Sequence, residues 1–307
     1  MFAPILPRRD LREDKRHHEA CHDDVHGKSL QGKLSLGLNL TVAAENRPAC
    51  LAVTVKYEGG YSNNPNDRGN WTGGHVGIGT LKGTKYGIAA HAYPTLDIKN
   101  LTLEDAKSIY EKDYWNKMHG DHLPYGVDLA TFDASVMSGP RRGVRWLQGA
   151  VKAKQDGIVG NETIAKALAA NGKATIQRIC ANRRGFVQSL LTRAHFGKGW
   201  SRRIAEVEAQ AVTMWLTRGT GQLTEEDRAE IKQDGIAAQS RAVAQDRSAT
   251  CAVGVAVGVG VGDTILNRGP DWVVIGGVAL LLIGAVGLWI NASHNKERDV
   301  AYAAVAD

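Results

Sequence analysis

Apolar residues recur at helical spacing through most of the chain after residue 50, and the interruptions divide it into segments. Ala49 to Tyr57 is a short apolar helix candidate that stops at Gly59-Gly60. Residues 61–91 are rich in Gly, Asn and Asp and lack a long period, which predicts loops or a small two- or three-stranded sheet around Val76, Ile78 and Leu81. Thr102 is a good N-cap, with Glu104 and Asp105 in the first turn and Leu103, Ala106, Tyr110 and Tyr114 on one face. Further helices fit 125–137, 141–152, 162–170, 174–196 and 201–216.

The ends of the chain read differently. Residues 1–48 carry Pro4, Pro7, mixed charges and scattered His, with no secretory leader pattern, and read as a flexible arm. His18, His22 and His26 repeat at helical spacing beside Cys21, an arrangement able to bind metal, but a solvated charged segment is the reading they favour. Thr224 opens a polar helix that runs to about 248 with little apolar face, and 252–262 alternate Val or Ala with Gly, with no obvious fold.

Trp272 to Ile290 is a run of nineteen residues without a charge. At 1.5 Å per residue it matches a bilayer core of about 30 Å, and Trp272 and Trp289 stand at its two ends. A buried core helix is the alternative. Lys296 and Arg298 follow it closely and only Arg268 precedes it closely, so the charge bias puts the C-terminus on the cytoplasmic side and the body outside.

Composition narrows the class of protein. With 307 residues and ordinary apolar content, the chain has material for roughly two domains and is neither fibrous nor disordered as a whole. The four Cys lie far apart without a CxxC, so no zinc module is indicated and no metal is expected. Disulfides are allowed but not required. The net charge of +6 suits a polyanion such as nucleic acid, an anionic membrane or an anionic cell wall. Spread-out basic residues and the absence of an RNP or zinc pattern speak against nucleic acid.

The stretch EGGYSNNPNDRGNWTGG at 58–74, followed by KGTKYGI at 82–88, carries the most chemistry. Glu58 stands where an apolar helix ends, a place that can withdraw a carboxyl from water and keep it protonated. Asp67 lies nine residues on in a polar loop that keeps a carboxylate ionised. Two carboxyls in contrasting surroundings are what glycoside hydrolysis needs: one protonates the leaving oxygen, the other stabilises the oxocarbenium-like state, attacks it or activates water. Tyr61, Trp71 and Tyr86 are placed to stack on sugar faces. On composition alone, a Glu before Gly-Gly is also an ordinary helix end.

Glu58-Gly59-Gly60-Tyr61, Asp67 and Thr84-Lys85-Tyr86-Gly87-Ile88 resemble the family 108 glycoside hydrolases, bacterial and phage N-acetylmuramidases with a lysozyme-like fold. The resemblance implies Glu58 as catalytic acid. Its Glu–Asp–Thr layout is similar to that of phage-type lysozymes, whose Asp and Thr position water. Asp67 matches the Asp; Thr72 matches the Thr by spacing and Thr84 by context, and Thr84 is preferred because 71–82 reads as an insertion. A second stretch, 128–168, resembles the peptidoglycan-binding domain that follows such catalytic domains, on Ser138-Gly139-Pro140, Trp146-Leu147-Gln148, Asp156-Gly157-Ile158-Val159-Gly160 and Thr163. Pro140 suits a first helical turn and Asp156-Gly157 a tight turn. Trp146 and Leu147 read as core, and Arg141 and Arg142 as wall contacts or a solvated basic face.

The expected molecule is mainly α. It has an arm (1–48), a lysozyme-like domain (49–124), a peptidoglycan-binding helical domain (125–216), a polar spacer helix and Gly/Val-rich linker (217–264), a transmembrane helix (270–292) and a short tail (293–307). The expected activity is hydrolysis of the β-1,4 bond between N-acetylmuramic acid and N-acetylglucosamine in peptidoglycan, with no cofactor and no nucleic acid. The body would face the cell wall and the membrane would be met through Trp272–Ile290. A lytic transglycosylase on the same scaffold, which needs one Glu and no water-activating carboxylate, and a non-catalytic anchored wall-binding protein are the competing expectations.

Overall fold

The computed structural model describes residues 43–190, 193–218, 220–265 and 272–306, and at 43–44, 193–196, 253–265 and 272–278 it describes the backbone alone. The His/Cys repeat at 18–26 and the rest of the expected arm therefore lie outside the described residues.

Helix α1 (Arg47–Val55) starts with Pro48 in its first turn, where a missing N–H costs nothing, and buries Cys50, Leu51, Thr54 and Val55. Loops follow to a two-stranded antiparallel ribbon, β1 (Thr84–Lys85) with β2 (Ile88–Ala89), in the register Thr84 opposite Ala89. Ser62 extends the ribbon by pairing with Thr84, and Trp71 pairs with Leu81. The small sheet thus exists but is centred on 84–89. Val76 and Ile78, expected in it, are exposed on an outward loop, because positive-φ turns at Gly74, Gly77 and Gly79 carry the chain away from the body.

Helix α2 (Leu103–Tyr110) opens with the expected N-cap Thr102, which forms a capping box: the Asp105 N–H donates to Thr102 Oγ1 at 3.1 Å and the Thr102 N–H to Asp105 Oδ2 at 3.0 Å. It runs into a π turn (Glu111–Trp115), which buries Tyr114 and Trp115. Helix α3 (Val127–Ser138) follows, and every side chain of it except Val136 is buried. It can sit that deep because Gly126, at φ 75°, lets α3 start against the backbone of a later helix; a Cβ there would lie 2.0 Å from the Ala211 carbonyl oxygen.

Around α3 stand α4 (Pro140–Ala150), α6 (Gly172–Gln188) and α7 (Arg193–Thr217), with α5 (Asn161–Ala169) packed on α6. Pro140 opens α4 as its position predicts. Leu147 is fully buried, and Trp146 packs on Phe186 at 5.7 Å between ring centroids, so both belong to the core as expected. Gln148 holds the turn that follows: its Nε2 donates to Asp156 Oδ1 (2.8 Å) and to the Ile158 carbonyl (2.9 Å), and its Oε1 accepts from Gly157 N–H (2.9 Å).

One hydrophobic core runs from Cys50 through Val212 and takes in Ile231, Ala301, Tyr302 and Ala306. The boundary expected at 124/125 is therefore not a break in packing: α3 touches α1, α4, α6 and α7. Helix α8 (Glu225–Ile265) is longer than expected and continues through the Gly/Val-rich stretch. It is a packed element rather than a spacer, burying Ile231, Ala238, Ala242 and Ala249.

Helix α9 (Trp272–Ala306) lies along α8 and reaches α7. Among the described residues no helix is long and apolar enough to cross a membrane; Trp272–Val278 of the expected span are described as backbone only. The expected separation of tail from body is corrected by the contacts at 294–306. Arg298 Nη2 and Tyr302 Oη donate to the buried Glu208 of α7 at 2.8 and 3.2 Å, and Arg228 Nη1 donates to the Ala306 carbonyl at 2.8 Å. A single crossing by 272–290 would put these partners on opposite sides of a bilayer.

Candidate active site

Glu58 hangs from the end of α1. Its N–H donates to the Val55 carbonyl at 2.9 Å, which continues the turn and fixes where the side chain leaves the helix. The side chain is only 12% exposed. Its Oε1 accepts from Arg203 Nη1 of α7 at 2.9 Å. The other edge of the same guanidinium grips Asp133 of α3: Nη2 and Nε donate to Oδ1 at 2.7 and 3.1 Å. Arg183 of α6 donates to Asp133 Oδ2 at 2.5 Å. Burial works to raise the Asp133 carboxyl, but Arg203 and then Arg183 hold it below the usual Asp range. Burial likewise works against the Arg203 charge, and Asp133 and Glu58 hold it firmly protonated. The Arg203 guanidinium also lies 4.9 Å from the Tyr57 ring centroid, and Tyr57 Oη donates to Glu206 Oε2 at 2.5 Å.

The opposite wall comes from the ribbon. Tyr86 N–H donates to the Gly59 carbonyl at 2.9 Å, and Tyr110 Oη donates to the Tyr86 carbonyl at 2.9 Å. Gly87, at φ 70°, passes so close that a Cβ there would lie 2.4 Å from Tyr110 Oη and 2.6 Å from Glu58 Oε2. Any side chain at 87 would strike the carboxyl. Tyr86 itself holds φ 49°, a conformation that costs a non-Gly residue of order 1 kcal/mol.

Asn70 organises the loop. It is fully buried, its Oδ1 accepts from Thr84 Oγ1 at 2.7 Å, and its carbonyl accepts from the N–H groups of Lys82 and Gly83 at 3.0 Å. Asp67 is exposed and caps the 3₁₀ turn Arg68–Asn70 by accepting from Gly69 N–H at 2.8 Å. Thr72 closes the outward loop by accepting from Thr80 N–H at 2.9 Å. Thr84 stands on the ribbon two residues before Tyr86, which bonds to the Glu58–Gly59 turn. Tyr61 lies over Gly83, whose Cβ would be 2.7 Å from its ring. Trp71 Nε1 donates to the Pro65 carbonyl at 2.8 Å, which leaves the ring half-exposed on the loop.

Arg141 and Arg142 are elsewhere, at the start of α4. Arg142 stacks on Phe186 at 4.4 Å, and Arg141 Nη2 donates to the Asp156 carbonyl at 3.4 Å. A cavity of about 840 Å³ opens on the other side of Tyr57, lined by Lys56, Arg202, Glu206, Glu297 and Val305. Among the described residues no group of His, Cys, Asp and Glu is placed to hold a metal ion, and Cys50, Cys180 and Cys251 are unpaired thiols.

Sequence reasoning did not single out Arg203, Asp133, Arg183 or Asn70. The signals are an Asp inside the otherwise uncharged run TFDASVM, and the Arg pairs at 183–184 and 202–203 on helices that must bury one face.

Residues 51–139 match the family described as Glycosyl hydrolase 108. The chain is also similar to the solved structure of Brucella abortus SagA, with 34% identity over 56% of this chain and 94% of that one, at a TM-score of 0.46. No curated protein matches it. The family match ends at 139, so Asp133 lies inside it and Arg183 and Arg203 outside.

Proposed function

We propose that the chain is a peptidoglycan hydrolase of the muramidase type, with Glu58 as the general acid. The observation that supports this most directly is the Glu58 carboxyl itself: nearly removed from water, fixed by Arg203 on one oxygen and walled by Gly87 on the other, within a glycosyl hydrolase 108 domain. In the reaction Glu58 gives its proton to the glycosidic oxygen as the β-1,4 bond breaks, and water adds to the anomeric carbon of N-acetylmuramic acid. Asp67 and Thr84 are the proposed partners that handle this water. Tyr61, Tyr86 and Trp71 are proposed sugar contacts, and α4–α6 with Arg141 and Arg142 the wall-binding part. Digestion of purified peptidoglycan by wild type and Glu58→Gln tests the assignment. Reducing muramic-acid ends with wild type, absent with a folded Glu58→Gln, are expected. Anhydromuramic ends would replace hydrolysis with lytic transglycosylation, and equal activity in the mutant would overturn the role of Glu58.

The body is proposed to act on the cell-wall side of a membrane, with 272–290 as the segment that meets lipid. Leu280, Ile283, Val286 and Trp289 of α9 are exposed, and four consecutive apolar residues, 280–283, face out around the helix. Because 294–306 return to the body, both ends of this segment belong on the same side. Fractionation checks it: wild type pellets with membranes, and Ile283→Asp with Val286→Asp releases the chain. Equal distribution of the two proteins would remove the lipid contact from the proposal.

A further inference from the structure

Glu58 does not meet Arg203 alone, because the guanidinium is shared. One edge holds the Glu58 carboxyl and the other holds Asp133, which a second guanidinium, Arg183, grips from behind. Asp133, Arg183 and Arg203 are all essentially removed from water. Coulomb interactions in such a place are far stronger than at the surface, so the division of charge along this row reaches its end. Arg183 deepens the dependence: its Nε and Nη1 are buried with no hydrogen-bond partner among the described residues, so Asp133 is the anion that answers its charge.

We propose that Asp133 is a positioning residue for the reaction, aiming Arg203 at Glu58 and setting how much of the Arg203 charge Glu58 feels. This rests on the reading of Glu58 as the reacting carboxyl. The groups that face Glu58 are few. Arg203 comes from α7, with Asp133 of α3 and Arg183 of α6 behind it. Tyr110 of α2 places its hydroxyl beside the same Gly87 surface as Oε2. Tyr57 lies under Arg203 and is tied to Glu206. Among the described residues, Asp133 is thus the anion paired with the far edge of Arg203, the cation bonded to Glu58.

The sign follows from the row. A neutral group at 133 leaves the Arg203 charge undivided, which strengthens its pull on the Glu58 carboxyl. Loss of Arg183 does the opposite: Asp133 then draws more strongly on Arg203, and less of the Arg203 charge reaches Glu58. Loss of Arg203 itself acts in that same direction and more strongly.

The test is the pH profile of kcat/KM for peptidoglycan cleavage, whose basic limb reports the acid in the free enzyme. Asp133→Asn is expected to move that limb to lower pH by about one unit, and Arg203→Gln to higher pH by about one unit. Arg183→Gln, which touches neither Glu58 nor substrate, is expected to move it upward by a smaller step. Arg203→Lys, which keeps a cation but not the two-edged fork, should hold the limb near wild type while lowering kcat. Thermal melts establish which variants fold. If Asp133→Asn does not fold, the upward step in Arg183→Gln and Arg203→Gln carries the test. Folded variants with reduced activity and an unmoved limb would overturn the proposal and leave Asp133 a purely structural residue. A Glu58→Gln protein with wild-type activity would instead overturn the underlying assignment.

Discussion

Two buried carboxylates are gripped by neighbouring arginines of the same helix and end in different places. Asp133 takes Arg183 and, on its other side, Arg203; Glu208 takes Arg184 and, on its other side, Arg298 with Tyr302. Arg183 and Arg184 are adjacent on α6, and Arg203 and Glu208 are five residues apart on α7. Both carboxyls are fully buried, and in both burial works to raise them while the arginines hold them low. The first row ends on Glu58, the second on the tail helix α9. Identical chemistry therefore serves two ends. A buried ion pair by itself says little about role, because its desolvation cost cancels much of its attraction. What it connects to decides.

Breaking the second row is the sharpest way to separate the two. Glu208→Gln keeps the shape and removes the charge, leaving Arg184 and Arg298 without their common anion. Removing one partner of a buried pair costs about 3–5 kcal/mol, and the low end applies here because Arg184 can turn partly to water. Urea denaturation of wild type and Glu208→Gln should show the loss as a lower midpoint. The basic limb of the activity profile should stay where it is, since Glu208 does not contact Arg203. A shifted limb would mean that the two rows are one network and that the contrast drawn between them is false.

Local signals in the sequence reached as far as local interactions do. Thr102 with Asp105, Pro140, and Thr224 with Asp227 announce helix starts because capping is written within four residues. Glu58 was visible because Gly-Gly ends its helix beside a distinctive loop. The Asp133–Arg203 pair was not, since its members stand seventy residues apart and meet only when α3 and α7 pack. The sequence of helix α8 suggests a spacer because its buried face is mostly alanine, too small to register as an apolar stripe yet suited to close packing against α9. The sheet sits elsewhere than its pattern suggests for a related reason: Val76 and Ile78 look like strand residues, but Gly74, Gly77 and Gly79 turn the segment into solvent.

Asp128, one and a half turns before Asp133 on α3, supplies the case without a cation. It is as buried as Asp133, yet its bonds come from neutral donors: Asn46 Nδ2 at 2.9 Å and the Leu129 N–H at 2.6 Å. Burial outweighs these donors and pushes its carboxyl up to about 7. The sign of its effect on stability is opposite to that of the arginine-bound pair. Asp133 and Glu208, held low, contribute stability above about pH 4 that is lost as the pH falls. Asp128, held high, binds a proton in the folded state that the unfolded chain releases near pH 4, so its contribution is full below that point and declines as the pH rises toward 7. The slope is at most about 1.4 kcal/mol per pH unit. Asp128→Asn imitates the protonated side chain and should flatten the decline between pH 4 and 7, leaving the mutant the more stable protein at pH 8. Denaturation midpoints measured across that range decide it. A mutant whose midpoint still tracks that of wild type at every pH would show that Asp128 ionises in the folded state as easily as in the unfolded chain, and that the absence of an arginine is not what distinguishes it from Asp133.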